Sequence, residues 1–111
     1  MHELGLCEDI VGAVERRAGD RPVARVRVRV GRLHHVHEDA FEQSFAIAAT
    51  GSVAEDATAE LVIVPIRGHC PDCGSRFEAD EPVLCCPECG ELGVEQEGGD
   101  ELILELIEYR S

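Results

Sequence analysis

Apolar residues recur at spacings of three and four between residues 4 and 17, which predicts one apolar face of an amphipathic helix. That stripe consists of Leu4, Leu6, Cys7, Ile10, Val11, Ala13, Val14 and Ala18. Gly19 and Pro22 end the pattern, and residues 25–30 then alternate strictly between arginine and valine. Such alternation predicts a strand with valine on the core face. The arginines either pair with acids on neighbouring strands or form a surface that binds acidic groups.

The rest of the chain predicts a second helix and two more strands. Residues 31–37 are expected to form a loop, and residues 38–49 a helix whose buried stripe is Phe41, Phe45, Ala48 and Ala49. The β-branched apolar run 61–66 is typical of a buried strand, and residues 102–109 predict a last strand. A cysteine-rich segment, residues 68–94, lies between these two strands. We therefore expect an α+β fold, a small three-stranded sheet with two helices and an inserted module.

Composition narrows the classes of function. The chain has 111 residues and a net charge of −13, from 23 acidic against 10 basic side chains. Binding to nucleic acid requires a basic footprint, so we exclude it. The acidic surface suits a basic protein partner or metal cations, or serves solubility alone. The N-terminus lacks the regions of a signal peptide, and no run approaches the ~20 apolar residues of a spanning helix, so we expect a cytoplasmic protein without membrane contact.

Four cysteines carry the strongest chemical signal. Cys70 and Cys73 form one Cys-Pro-x-Cys turn, Cys86 and Cys89 form another, and 12 residues separate the pairs. This spacing predicts a closed tetrahedral zinc site of four thiolates in a zinc-ribbon-like domain, with no open position for catalysis, so we do not expect an enzyme. The rival interpretation is a dithiol redox centre. Cys85 competes with Cys86, but only Cys86 has the correct spacing to Cys89.

Two further groups of residues are candidate sites for a divalent metal such as Ni(II). Met1-His2-Glu3 places an α-amine, an amide nitrogen, an imidazole and a carboxylate within three residues, a set that suits Ni(II) or Cu(II) in square-planar geometry. A cluster of histidines, His34, His35 and His37, lies beside Glu38 and Asp39 and is a second candidate. Both features are also compatible with ordinary solvated residues. Cys7 lies in the helical stripe, where a small buried apolar role is expected.

Taken together, these motifs resemble the HypA/HybF family of hydrogenase-maturation nickel metallochaperones. The resemblance rests on Met1-His2-Glu3, on the segment from Gly31 to Phe45, on residues 51–55 (Gly-Ser-Val-Ala-Glu) and on the paired cysteines, and it covers essentially the whole chain. It implies a discontinuous nickel-binding domain, residues 1–67 and 95–111, with a zinc-binding domain inserted at 68–94. It also implies delivery of Ni(II), with a partner GTPase, to the large subunit of a [NiFe] hydrogenase, and in some organisms to urease and its accessory proteins.

The resemblance also implies a nickel ligand set. His2 is the principal ligand, helped by the Met1 amine, and Glu3 is a further ligand or a partner-recognition group. The family often has a carboxylate just before the second helix, where this chain has His37, followed by Glu38 and Asp39. Which of these three completes the site stays open. An imidazole must be neutral to bind metal, so nickel binding should weaken on acidification, and unchanged affinity down to about pH 5 would contradict this. The alternative is a zinc-ribbon adaptor without a nickel role.

Overall fold

The computed structural model describes residues 3–111. Its two α-helices are α1 (Glu3–Ala18) and α2 (Glu38–Ala49), and a short 3-10 helix (Arg32–His34) lies within the predicted loop. The six strands are β1 (Val23–Gly31), β2 (Thr58–Val64), β3 (Ile66–His69), β4 (Arg76–Ala79), β5 (Glu95–Glu97) and β6 (Leu102–Tyr109). They form two three-stranded sheets, in the orders β2-β1-β6 and β4-β3-β5. Within these residues, neither α-helix combines the length and apolar character that crossing a bilayer requires.

The chain divides into two compact units. One, the helical unit, comprises the residues up to Arg29 together with Val36–Val62 and Leu102–Ser111. The other, the cysteine unit, comprises Val30–His35 and Ile63–Glu101. The cysteine unit is therefore longer than the predicted segment 68–94, because β3, β5 and the 3-10 helix belong to it. The assignment of one domain to nickel and the other to zinc stays a prediction.

The core of the helical unit follows the predicted periodicities. α1 packs against α2, and the face of α1 buries Leu6, Cys7, Ile10, Val11, Val14 and Ala18. Phe41 and Phe45 of α2 are buried and stack, with ring centroids 6.3 Å apart. Val23, Val26 and Val28 of β1 are also fully buried. The predicted sheet with two helices and an inserted cysteine module is thus confirmed, although Leu4, Ala13 and Ala48 are only partly buried.

The arginines of β1 pair with acids on both neighbouring strands, so the first of the two sequence interpretations is confirmed. These side chains alternate with the buried valines and lie on the opposite face of the strand. Their ion pairs span 2.7–3.5 Å and join Arg25 to Glu60 and Glu108, Arg27 to Glu60 and Glu105, and Arg29 to Glu105. The ladder ties β2 and β6 to the central strand through side chains as well as backbone.

This ladder should make the helical unit sensitive to acid. The hydrogen bond from Arg27 lowers the pKa of Glu60, and that from Arg25 lowers the pKa of Glu108. A folded-state pKa below the unfolded value of about 4.3 adds stability above that pH, and the contribution is lost as pH falls through the folded pKa. We expect Glu60→Gln to unfold at a lower temperature than wild type near pH 6 and to lose less stability below about pH 4.5. Thermal melts followed by the helical far-ultraviolet signal measure this.

The matched control for that experiment is Glu42→Gln, which removes an exposed acid of α2 that makes no ion pair within the described residues. It should behave as wild type. Identical melting behaviour of the Glu60 and Glu42 variants across the pH range would show that the ladder does not contribute to stability.

One prediction about the strands was wrong in detail. Residues 61–66 do not form a single buried strand, because β2 ends at Val64 and Ile66 begins β3. Pro65 separates the two, since it has no N–H to donate to a sheet. β2 is also an edge strand, so Leu61, Val62 and Ile63 are only half-buried.

In the cysteine unit, two glycines lie in close contact with neighbouring segments of the chain. β3 pairs antiparallel with both β4 and β5. The Phe77 ring covers Gly68 across the β3–β4 pair so closely that a Cβ on Gly68 would lie 2.4 Å from it. The Gly31 N–H donates to the Glu101 carbonyl (2.8 Å), and a Cβ on Gly31 would lie 2.1 Å from the Gly99 oxygen. Gly31 therefore has no room for a Cβ, since the atoms it would meet are backbone, whereas at Gly68 the Phe77 ring would have to move.

Candidate metal centre

Four cysteine sulfurs gather at one end of the short β-strands. The Sγ atoms of Cys70, Cys73, Cys86 and Cys89 all lie within 4.8 Å of one another. The Sγ atoms of Cys70 and Cys89 are 3.6 Å apart, and so are those of Cys73 and Cys86. A tetrahedral site with metal–sulfur bonds of about 2.3 Å has sulfur–sulfur edges of about 3.8 Å. The cluster therefore has the dimensions of a closed tetrahedral sulfur site.

The two Cys-Pro-x-Cys turns use the same backbone hydrogen bonds. In the first turn the Cys70 N–H donates to the Ser75 carbonyl (2.9 Å) and the Gly74 N–H to the Cys70 carbonyl (2.8 Å). In the second, Cys86 donates to Glu91 (2.9 Å) and Gly90 to Cys86 (2.8 Å). Gly74 and Gly90 have φ values of 78° and 79°, a region that favours glycine. Two equivalent turns thus present two thiols each to one point.

This equivalence explains the position of Cys85. Cys85 forms an isolated antiparallel bridge with Leu92, as His69 pairs with Arg76 beside the first turn. Cys85 is therefore the counterpart of His69, one residue before a cluster cysteine. It is exposed, and among the described residues it does not belong to the metal-binding group. The placement agrees with the choice of Cys86 on spacing.

Backbone N–H groups favour the thiolate form of one of the four cysteines. The Cys89 N–H, with that of Glu88 as a further donor, lowers the pKa of the Cys86 thiol to about 7. Thiolate is the form that binds metal. Nearby, His69 Nδ1 lies 3.4 Å from a carboxylate oxygen of Glu95. With a metal bound, all four positions would be filled by sulfur, an arrangement typical of structural zinc sites.

The candidate nickel ligands that the structure describes, Glu3, His37, Glu38 and Asp39, belong to the helical unit. Met1 and His2 lie outside the described residues. Glu3 is 7% exposed, and its Oε2 accepts a hydrogen bond of 3.3 Å from the backbone N–H of His37, which precedes α2. Glu38 and Asp39 are exposed in the first turn of α2. The start of α1 and the start of α2 are therefore neighbours, although nothing in the sequence predicts that Glu3 is buried there.

The histidine cluster stays a prediction as a metal site, and among the described residues its side chains do not form a group with converging ligand atoms. His34 and His35 belong to the cysteine unit and His37 to the helical unit. His34 Nε2 lies 2.9 Å from the Asp100 carbonyl oxygen. Over residues 3–111, the four cysteines are the one group whose ligand atoms converge.

Cys7 is a core residue, as the helical stripe predicts. It is fully buried, and its thiol donates to the Phe41 carbonyl at 3.6 Å. Burial, and secondarily the charge of Glu3, raise the pKa of Cys7 to about 11. In the native, metal-loaded protein we expect iodoacetamide at neutral pH to label Cys85 and to leave Cys7 unmodified, because alkylation requires an accessible thiolate. Peptide mapping by mass spectrometry measures this, and equal labelling of the two would contradict the buried position.

Comparison with known proteins identifies the relatives of this chain. A family described as "Hydrogenase/urease nickel incorporation, metallochaperone, hypA" matches residues 1–109. The hydrogenase maturation factor HypA of Paracoccus denitrificans is 40% identical over 105 residues, covering 92% of this chain and 93% of that protein. That of Rhodobacter capsulatus is 36% identical over 111 residues (97% and 98%). In fold, the chain is similar to the solution structure of the Ni metallochaperone HypA from Helicobacter pylori, with a TM-score of 0.67 at 24% identity over 98% of this chain and 97% of that one.

Proposed function

Because the chain belongs to the HypA family of nickel metallochaperones for hydrogenase and urease maturation, we propose that it binds Ni(II) at its N-terminus and delivers it with a partner GTPase. The recipient of the Ni(II) is the large subunit of a [NiFe] hydrogenase. Urease, with its accessory proteins, is a second recipient of Ni(II). This activity is that of a cytoplasmic carrier and not of an enzyme. The match of the family over residues 1–109 carries the proposal.

In this proposal the cysteine unit holds one structural Zn²⁺ through Cys70, Cys73, Cys86 and Cys89. Support comes from the four-sulfur cluster, whose spacing suits a tetrahedral zinc–thiolate site. Zinc held by four thiolates has no position left for water or substrate, and it has no redox chemistry of its own. The zinc therefore has a structural role in this unit.

The nickel site of the proposal is formed by the Met1 amine and the His2 amide and imidazole, with Glu3 as a further ligand or as a group that recognises the partner. An amine, a deprotonated amide and an imidazole form fused chelate rings in one plane, the geometry that Ni(II) prefers among nitrogen ligands. The contact of Glu3 with His37 supports a role for the start of α2, because it brings His37, Glu38 and Asp39 near the first residues of α1. Any of these three can supply the remaining ligand.

A transfer experiment tests the delivery step. Nickel-loaded protein is mixed with the purified maturation GTPase, GTP and the apo large subunit, and nickel in the re-isolated large subunit is measured by mass spectrometry of the metal. We expect transfer that requires the GTPase and that is lost in the His2→Ala variant. Equal transfer from this variant would show that nickel does not pass through the proposed site. Zinc content serves as the control, since it should stay with the chaperone.

The alternative function is an adaptor that recruits a partner through its zinc-stabilised unit without binding nickel. It shares the cysteine cluster with the first proposal and differs in the N-terminus. The adaptor predicts that His2→Ala leaves hydrogenase maturation unchanged, whereas the carrier predicts its loss.

A further inference from the structure

The start of α2 is not capped by the side chains of its own first turn. His37, the residue before the helix, has an extended backbone (φ −96°, ψ 133°), and within residues 3–111 its side chain makes no capping hydrogen bond. In a capping box, a glutamate or glutamine three residues later accepts the N–H of this first position. Here that residue is Ala40, which has no side-chain acceptor. The His37 N–H therefore needs an acceptor from another part of the chain.

That acceptor is a side chain of α1. Glu3 Oε2 lies 3.3 Å from the His37 nitrogen, and Glu3 is 7% exposed. Glu3 thus makes, from a neighbouring helix, the contact that the glutamate of a capping box makes from within its own helix. Its negative charge also lies at the positive end of the α2 macrodipole, where a carboxylate is stabilised without any metal.

A second contact, one helical turn further on, joins the same two helices. Cys7 lies four residues after Glu3, and Phe41 lies four residues after His37. The Cys7 thiol donates to the Phe41 carbonyl at 3.6 Å, and the Phe41 N–H donates to the His37 carbonyl at 2.8 Å. Both contacts between the helices run from a side chain of α1 to the backbone of α2. The first turn of α2 is therefore tied to the first turn of α1 at two points.

We propose that Glu3 is a positioning residue of the nickel site, which caps α2 through the His37 N–H and does not itself bind Ni(II). The inference rests on the proposed carrier function and gives Glu3 a role other than ligand or partner recognition. In that function the remaining nickel ligand comes from His37, Glu38 or Asp39. The cap holds these three residues near the start of α1, so less of the chain has to be ordered when Ni(II) binds.

Two substitutions of Glu3 separate capping from ligation. Glu3→Gln keeps a side-chain oxygen that can accept the His37 N–H but removes the negative charge of the carboxylate, whereas Glu3→Ala removes both. Ni(II) is titrated by calorimetry into the zinc-loaded wild type, the two variants and the control Glu8→Ala, which removes an exposed acid of α1. We expect Glu3→Gln and the control to stay within about twofold of the wild-type affinity, and Glu3→Ala to bind about fivefold or more weakly.

The nickel-free proteins give a second readout that does not depend on the carrier function. The Cα chemical shifts of residues 37–41 report the helical state of the first turn of α2, and hydrogen exchange of the His37 amide reports its hydrogen bond. We expect Glu3→Ala to lose helical shifts in this turn and to exchange that amide several-fold faster, while Glu3→Gln keeps both properties. Retained zinc and unchanged signals of the cysteine unit confirm that the variants are folded.

The outcomes that would overturn the proposal are distinct. Equal loss of nickel affinity in both Glu3 variants would make the carboxylate a ligand, and full affinity in Glu3→Ala would remove it from the nickel site altogether. An unchanged first turn of α2 in nickel-free Glu3→Ala protein would show that Glu3 does not cap the helix. If the wild type bound no Ni(II), the carrier function and the positioning role would both fail, and the nickel-free spectra would still decide whether Glu3 caps α2.

Discussion

Replacing His2 with alanine should lower the affinity of the zinc-loaded protein for Ni(II) by more than about 100-fold. Loss of a hydrogen-bonding partner behind a metal ligand typically costs 10–100-fold, and loss of the ligand itself costs more. Without the imidazole, the Met1 amine and the amide cannot complete the fused chelate rings that hold Ni(II) in a plane. Isothermal titration of Ni(II) into both proteins measures the effect.

The matched control is His35→Asn. His35 is exposed and has φ of 53°, a left-handed conformation that asparagine tolerates better than alanine. This variant removes an imidazole from the histidine-rich loop without disturbing its backbone, and it should bind Ni(II) as wild type. If His2→Ala keeps full affinity while the His35 variant loses it, the nickel site lies in the loop and the proposed terminal site is wrong.

The second large effect concerns zinc. The Cys89→Ser variant should lose its zinc, and the cysteine unit should unfold while α1 and α2 remain folded. Structural zinc contributes apparent binding energies of about 10–16 kcal/mol in small domains, comparable to the whole stability of a typical domain. Cys89 is exposed, so its replacement creates no cavity and the loss is due to the metal site. Zinc content and the dispersion of NMR signals from residues 63–101 report the two consequences.

Cys85→Ser is the control for that experiment, because it changes the same atom at an exposed neighbouring position outside the cluster. It should keep one zinc per chain and a folded cysteine unit. Equal loss of zinc in both variants, or a folded cysteine unit in metal-free Cys89→Ser protein, would contradict a structural zinc site.

The elements with strong local periodicity could be predicted from the sequence. The arginine–valine alternation of β1 and the apolar stripe of α1 are properties of a few consecutive residues, and the structure has both. The spacing of the four cysteines likewise predicted which thiols would converge. Aligning the two turns in the sequence also places Cys85 at the position of His69, one residue before a cluster cysteine. In the structure both residues pair across their turns, His69 with Arg76 and Cys85 with Leu92.

The elements that depend on distant contacts could not be predicted. The sheet of β3, β4 and β5 consists of strands of three or four residues, too short for an alternating pattern, and turn geometry around the cysteines holds them. The burial of Glu3 is of the same kind. A glutamate in the first turn of a helix indicates a favourable charge at the helix end, and only the packing of α1 against α2 brings it to the His37 N–H.

The most direct test of the nickel carrier function compares two zinc-loaded proteins that differ only at the N-terminus. One has a free amine on Met1, and in the other an acetyl group caps that amine. The acetyl group removes the amine as a ligand and leaves every side chain intact. We predict one Ni(II) bound per chain in the first protein and a large loss of affinity in the second. Equal binding by both, or no binding by either, would contradict a nickel site built on the Met1 amine and His2.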